Sequence, residues 1–222
     1  MNDAQLFLNS FTKILIPGLT RTIPLTVIAF SLAIIIGTIV ALIQFANIKV
    51  LKQIARFYIW IIRGTPLLVQ LFVVFYGLPS VGIVLDPFPA AVIVFSINEG
   101  AYASETIRGA LESISRGQIE AGYCVGMNFV QIMWHIVLPQ AFKNAFPSLA
   151  NSLISMVKDT SLASVITVME MLMRTKQLVG VYYKPMLLYC EVGLIYLIFS
   201  TVLGQVAKVV ENKLKSKVVH ND

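Results

Sequence analysis

Two groups of polar side chains interrupt long apolar stretches of this sequence. They are Asn98, Glu99, Tyr102 and Glu105, and then Lys158, Asp159, Thr160 and Ser161. Asn98, Tyr102 and Glu105 are spaced i, i+4 and i+7, so they fall on one stripe of a helix. Ionisable groups in apolar surroundings usually face a bundle interior or a water-filled path, where they can bind a small polar or charged solute.

Membrane-spanning helices are the elements that must position these side chains. Of the 222 residues, 57% are hydrophobic and only 13% are charged, whereas about a quarter are charged in a soluble domain. A helix crosses the hydrocarbon core with roughly 20 mostly apolar residues. Five stretches qualify, at residues 19–45, 57–78, 88–110, 146–169 and 186–206. The sequence therefore predicts an all-α membrane protein with five transmembrane helices in a single domain, residues 1–222.

The segment before the first span, residues 4–16, has apolar side chains at helical spacing and predicts a helix lying at the membrane interface. Pro17-Gly18 predicts a turn into the first span. Lys and Arg are more numerous in the first loop, the third loop and the C-terminal tail, so we expect that side to be cytoplasmic and the N-terminus to be outside. Because these residues lie at span ends and not on one polar face, the net charge of +6 does not indicate a nucleic-acid partner.

Residues that could support cofactor chemistry are few. Cys124 and Cys190 are far apart in sequence and predict neither a disulfide framework nor a metal site. His135 and His220 have no second His or Cys at metal-ligand spacing. The sequence has no Gly-x-x-x-x-Gly-Lys-Ser/Thr run, so this chain is not expected to hold ATP phosphates itself.

The connection between the third and fourth spans, residues 111–145, is too polar to cross a membrane and carries a spaced motif. Its residues are Glu120, Ala121, Gly122, Gly126, Ile136, Leu138 and Pro139. In this loop the sequence resembles the permease subunits of bacterial ATP-binding-cassette importers, which carry Glu-Ala-Ala, three residues, Gly, nine residues and Ile-x-Leu-Pro. Gly122 replaces the usual second Ala. We expect Gly126 to end a short helix and Pro139 to break the next one.

The resemblance implies that this loop contains a cytoplasmic coupling helix, which sits in a cleft of a separate ATPase subunit and passes its motion to the spans. The motif residues would then contact the ATPase. It also implies a dimer of ATPase subunits that binds ATP and Mg²⁺, a second permease subunit, identical or paralogous, and an external substrate-binding protein. The chain itself would be no enzyme and would lie among the lipids of a bacterial plasma membrane, with no cofactor of its own.

Further motifs resemble the polar amino-acid branch of this family. They are Arg-Gly-Thr-Pro-Leu at 63–67 and Ser-Met-Val-Lys-Asp-Thr-Ser-Leu at 155–162. The combination of Tyr-Gly-Leu-Pro at 76–79, Leu-Asp-Pro at 85–87 and Ala-Tyr-Ala-Ser-Glu-Thr at 101–106 resembles the cystine permeases of that branch. The implied function is import of L-cystine, with arginine, lysine, histidine, glutamine or glutamate as alternatives.

The two polar groups are the expected substrate site, since the resemblance places substrate between the third and fourth spans. An amino acid is a zwitterion, so its site needs an acceptor for the ammonium and donors for the carboxylate. Asp159 or Glu99 is expected to accept from the ammonium. Lys158, Asn98, Thr160 or backbone N–H groups at a broken helix are expected to bind the carboxylate. All eight residues of the two groups are predicted to contribute.

Other interpretations stay open. Lys158 and Asp159 could form a buried charge cluster that orders two subunits, and Glu105 with Arg108 could be a simple helical ion pair. A secondary transporter would also explain charges inside the spans. However, it would not explain the loop motif, and it usually needs more spans or an inverted repeat. A membrane-embedded enzyme would need paired catalytic groups in the spans, and both His residues lie outside them.

Overall fold

The chain is helical along almost its whole described length, and the described residues include no β-strand. A computed structural model describes residues 2–46 and 48–219, with side chains up to residue 214. The α-helices are α1 (Asp3–Pro17), α2 (Ile23–Phe45), α3 (Lys49–Gly64), α4 (Leu67–Phe72), α5 (Pro87–Glu112), α6 (Arg116–Cys124), α7 (Phe129–Ile132), α8 (Leu138–Asp159), α9 (Met171–Tyr182) and α10 (Pro185–Val219). Several are extended by π-helical turns (Gly18–Thr22, Val73–Gly77, Met133–Val137) or by 3-10 turns (Leu78–Val81, Thr160–Ile166). The prediction of an all-α protein is confirmed.

The N-terminal segment and the first span form one helical stretch of 43 residues, Asp3–Phe45. The turn predicted at Pro17-Gly18 is wrong, because Gly18 has helical backbone angles, with φ −56° and ψ −52°. Proline removes one backbone donor, and the π-helical turn Gly18–Thr22 directly after it absorbs the misfit. Residues 4–16 are therefore continuous with the helix of the first predicted span and do not form a separate helix, whereas their position at the membrane interface stays a prediction.

The second predicted span, residues 57–78, is broken. α3 already begins at Lys49, and the helical stretches Lys49–Gly64 and Leu67–Val81 meet at an angle of 102°. Between them, Thr65 and Pro66 are extended, with ψ of 143° and 136°. The proline ring drives the preceding residue out of the helical region, so the break falls at this Thr-Pro pair.

The third predicted span, residues 88–110, agrees with α5, which packs closely along α2. Small buried residues recur at every fourth position of α2: Ala29, Ala33, Gly37 and Ala41. A Cβ added to Gly37 would lie 2.8 Å from Ala103 Cβ and 3.0 Å from Ser104 N on α5. Because lipid tails are as apolar as the helices, membrane helices are held together by such close packing of small residues.

The fourth predicted span, residues 146–169, begins much earlier in the structure. One helical stretch runs from Phe129 to Ile166. The prediction that Pro139 breaks this helix is wrong, because Pro139 stands in the first turn of α8, directly after the π-helical turn Met133–Val137. The stretch ends at Thr167, which adopts the left-handed conformation with φ 64°. α9 follows at an angle of 54° and lies where the sequence predicted a loop.

Two helical stretches are long and apolar enough to cross a membrane on their own, Asp3–Phe45 and Pro185–Leu214. Two further pairs of helical stretches are bent, Lys49–Gly64 with Leu67–Val81 and Phe129–Ile166 with Met171–Tyr182. The number of possible spans rises to four if each bent pair crosses the membrane once. α5 has 26 residues, which is about 39 Å of helix at 1.5 Å per residue. It also carries the polar residues of the third predicted span. The last predicted span, residues 186–206, lies inside the longer α10.

We expect Gly37→Ala to destabilise the fold. The added methyl would meet the backbone of α5 and force the two helices apart, which typically costs about 1–3 kcal/mol. Gly193→Ala is the matched control, because a Cβ at Gly193 meets nothing within 4 Å and alanine is the better helix former. Thermal unfolding of the purified protein in mild detergent should show a lower midpoint for Gly37→Ala only. Equal midpoints for the two variants would contradict this packing.

Candidate functional site

A cleft of about 580 Å³ lies between α5 and α8, beside the break that separates α3 from α4. Leu67 lines it from the first position of α4. α5 contributes Asn98, Glu99 and Tyr102. The remaining lining comes from α8 and the turn after it: Ser148, Asn151, Ser152, Ser155, Asp159 and Leu162. Four of the eight predicted site residues thus meet in one place.

The charged side chains that line this cleft are both acidic. Glu99 projects from α5 and Asp159 ends α8. The Glu99 carboxylate interacts with the Ser152 hydroxyl and is repelled by Asp159. Its Oε1 atom is buried and has no hydrogen-bond partner among the described residues. Two carboxylates without a basic lining residue make a negative wall, which attracts the ammonium or guanidinium group of a solute.

Gln70 of α4 holds the broken helix against α5. Its side-chain Nε2 donates to the carbonyl of Ile62 at 2.9 Å and to Thr65 Oγ1 at 2.8 Å. Its Oε1 accepts a hydrogen bond of 3.0 Å from Asn98 Nδ2. Backbone groups freed by a break inside a membrane need partners from the protein or from water. The hydrogen bond to Gln70 therefore holds the Asn98 side chain beside the break, where it also lines the cleft.

Sequence reasoning missed the polar stripe of α8. Ser148, Ser152, Ser155 and Asp159 recur at i, i+4, i+7 and i+11, which places them on one face of the helix. All four line the cleft. The indication was present in the sequence, because hydroxyl side chains at this spacing interrupt an otherwise apolar span.

Glu105 belongs to a different cluster, about one turn beyond Tyr102 on α5. Its carboxylate accepts hydrogen bonds from Arg108 at 3.2 and 2.8 Å and from Gln44 at 3.2 Å. Arg108 also donates two hydrogen bonds of 2.8 Å to Glu112. Glu105 does not line the cleft. Its predicted placement there is corrected, and the helical ion pair describes its contacts.

Three other predicted residues also lie outside the cleft lining. Thr160 is fully buried, and its hydroxyl donates to the carbonyl of Val157 at 2.6 Å. Lys158 is exposed next to Asp159 but does not line the cleft, and Ser161 is half-buried in the turn that follows. Consecutive residues of a helix point in different directions, so the run from 158 to 161 cannot face one cleft as a block.

The connection between α5 and α8 contains a compact helical unit formed by α6 and α7. α6 is followed by a turn in which Gly126 has φ 82°. The N–H groups of Gly126 and Met127 donate to the carbonyls of Tyr123 and Gly122, each at 3.0 Å. Left-handed glycines commonly end helices in this way, so the prediction for Gly126 is confirmed.

Gly122 is the point at which α6 packs against the helical stretch Phe129–Ile166. A Cβ added there would lie 2.8 Å from Ile132 Cγ1 and 3.3 Å from Ile136 Cδ1. Because glycine has no side chain, the two isoleucines can rest directly on the backbone of α6. An alanine at this position would require them to move. The absence of a side chain thus brings α6 closer to the membrane-embedded helix.

The unit exposes an apolar surface. Glu120 and Ala121 are exposed, whereas Gly122 is buried and Ile136 and Leu138 are partly buried. The large exposed apolar side chains here are Tyr123, Val125, Phe129, Val130 and Trp134, and several of them are more than two-thirds exposed. We call these five residues the apolar patch. Exposed apolar residues gathered in this way mark a surface that contacts another protein or a membrane.

Comparison with known proteins covers nearly the whole chain. The profile of a family described as binding-protein-dependent transport system inner membrane component matches residues 33–216. The L-cystine transport system permease protein TcyB of Bacillus subtilis is 45% identical over 207 residues, 92% of this chain and 88% of that protein. The arginine transport system permease protein ArtQ of the same organism is 36% identical, over 91% of this chain and 93% of its own length.

A solved structure has the same fold. It is a crystal structure of an amino acid ABC transporter with histidines, in which one chain matches with a TM-score of 0.86 and 33% sequence identity. The match covers 94% of this chain and 97% of the other.

Proposed function

Because the chain belongs to the family of binding-protein-dependent transport system inner membrane components, we propose that it moves L-cystine across the membrane. Its similarity to amino-acid permeases in sequence and structure shows that it is the permease subunit of an amino-acid ATP-binding-cassette importer, and not an enzyme. The observation that carries the cystine assignment is the 45% identity to an L-cystine permease over 92% of this chain.

The chemistry of the cleft is consistent with cystine. Cystine has two ammonium and two carboxylate groups, and the cleft offers the carboxylates Glu99 and Asp159 on its two walls. Hydroxyl and amide groups of α8 supply neutral donors and acceptors between them. Arginine is the second candidate, because its guanidinium and ammonium groups also suit two carboxylates and because an arginine permease is 36% identical. Glutamine would leave one carboxylate without a cation.

Transport needs partners that this chain does not contain. Length and composition allow up to four spans, namely Asp3–Phe45, the two bent pairs and Pro185–Leu214, and we add α5, which has 26 residues, as the fifth. An odd number of spans places the two termini on opposite sides of the membrane. The distribution of Lys and Arg favours a cytoplasmic C-terminus and an N-terminus outside. A second permease subunit completes the path, and an external binding protein delivers the substrate. A dimer of ATPase subunits binds ATP and Mg²⁺.

The ATPase docks on the α6–α7 unit of the cytoplasmic loop. The apolar patch buries its surface in the ATPase cleft, and Glu120 engages a basic or backbone group at its edge. Because Ile132 and Ile136 rest on Gly122, a displacement of α6 presses on the helical stretch that continues to Asp159. The motion of the ATPase therefore reaches one wall of the cleft along a single helix.

Uptake by proteoliposomes holding the permease, its ATPase and its binding protein tests the substrate. ATP-dependent uptake of labelled L-cystine, inhibited by unlabelled cystine, is the expected result. Robust arginine or glutamine uptake without competition from cystine would contradict the cystine assignment. Uptake driven by an ion gradient without ATP would instead indicate a secondary transporter.

Asp159→Asn and Glu99→Gln should each weaken transport without dissociating the complex. Removing one charged partner of an ammonium group costs about 1.5–3 kcal/mol, or roughly ten- to hundredfold in affinity. Glu112→Gln makes the same charge change on α5 outside the cleft and is the control. Uptake kinetics give the affinities, and size-exclusion chromatography checks the assembly. Affinities within twofold of the wild type would refute this site, and dissociation of the complex would favour the subunit-ordering interpretation.

Glu120→Arg should abolish stimulation of the ATPase while membrane insertion stays normal. The reason is that the reversed charge would stand next to the apolar patch, at the surface proposed to meet the ATPase. Gln53→Arg introduces an arginine at another exposed position, on α3, and should have no effect. Co-purification and ATP hydrolysis are the measurements. A Glu120→Arg complex that assembles and transports normally would show that the coupling surface lies elsewhere.

A further inference from the structure

Arg63, in the last turn of α3, lies next to the cleft and has no strong partner. Its guanidinium carbon stands 5.1 Å from the centre of the Tyr102 ring. Its Nη1 atom is 4.0 Å from Glu105 Oε2, and its side chain is 43% exposed. It donates no hydrogen bond within the part of the chain that the structure describes. A guanidinium carries five N–H donors, so this side chain has donors to offer to a ligand.

Glu105 holds Arg63 only loosely because its carboxylate is already engaged. Arg108 donates to both Glu105 oxygens, at 3.2 and 2.8 Å, and Gln44 donates to Oε1 at 3.2 Å. The separation of 4.0 Å between Arg63 and Glu105 exceeds hydrogen-bond length. Glu105 and Tyr102 therefore orient the Arg63 guanidinium and leave its donors unused.

The cleft itself contains no cation for the carboxylate of an amino acid. Glu99 and Asp159 suit ammonium groups, and they repel the carboxylate of the same substrate. Lys158 does not line the cleft, and Arg108 is occupied by its two carboxylate partners. Arg63 shares the Tyr102 ring with the cleft and stands four residues before Leu67, another lining residue. Arg63 therefore contacts the cleft lining through Tyr102 and has no partner at hydrogen-bond distance.

We propose that Arg63 recognises the carboxylate of the transported amino acid and thereby selects substrates that carry one. Its planar fork can donate two parallel hydrogen bonds to a carboxylate, which an ammonium cannot do. Tyr102 supports the guanidinium from one side through a cation–π contact. The ammonium end of the substrate then lies toward Glu99 and Asp159. This inference rests on the proposed function, because it concerns the same cleft and substrate.

A comparison of each amino acid with its amide, which lacks the carboxylate, distinguishes recognition of that carboxylate by Arg63 from a purely structural role of Arg63. Binding is measured on the purified permease–ATPase complex without the binding protein. The probes are L-cystine against L-cystine diamide, and L-arginine against L-argininamide. The wild type should prefer the acid by roughly ten- to hundredfold, as expected for a charged hydrogen-bonded pair. Arg63→Gln should reduce the preference to about one, mainly through weaker binding of the acid.

Two further variants complete the design. Arg63→Lys keeps the charge without the fork and should retain part of the preference. Arg56→Gln removes a positive charge two turns earlier on α3, outside the cleft lining, and should keep the full preference. If Arg63→Gln still prefers the acid over the amide as strongly as the wild type does, or if it loses affinity for both equally, Arg63 does not recognise the carboxylate. Failure of the wild type to bind or transport any of these amino acids would instead overturn the proposed function.

Discussion

The hydrogen bonds of the Gln70 side chain are the interaction on which the cleft depends. The chain breaks at Thr65 and Pro66, and the backbone groups freed by such a break in a membrane protein need partners from the protein or from water. Gln70 binds the Ile62 carbonyl and the Thr65 hydroxyl on one side and accepts from Asn98 on the other. One amide therefore stabilises the bend of 102° and fixes its position along α5. Leu67, directly after the break, lines the cleft, and Arg63, before the break, contacts the lining residue Tyr102.

α5 serves packing and binding through its different faces. Gly100 and Ala103 pack closely against α2, where a Cβ on Gly100 would stand 2.9 Å from the Ile36 side chain. Glu99 and Tyr102, displaced around the helix, face α8. The close contact with α2 holds α5 rigidly, whereas α8 belongs to the same helical stretch as α7, next to the surface that we propose meets the ATPase.

Apolar length and spacing predicted much of this arrangement, including the bounds of α5, the left-handed Gly126 and the meeting of Asn98 and Glu99 with Asp159. Proline was the main source of error. Pro17 and Pro139 stand in continuous helices with π-helical turns beside them, whereas Pro66 breaks its helix. Contacts with neighbouring helices decide whether a proline breaks its helix or is accommodated by a π-helical turn, and the sequence alone does not reveal these contacts. Glu105 was placed in the cleft although the sequence also allowed the helical ion pair with Arg108, which is what the structure shows.

We propose that the substrate binds between α5 and α8, against Glu99 and Asp159. A structure of the complete complex with bound L-cystine would show whether this is so. We expect ligand density in the cleft, with an ammonium group within hydrogen-bond distance of one of these two carboxylates. Ligand density at another site, with the cleft between α5 and α8 empty, would contradict it.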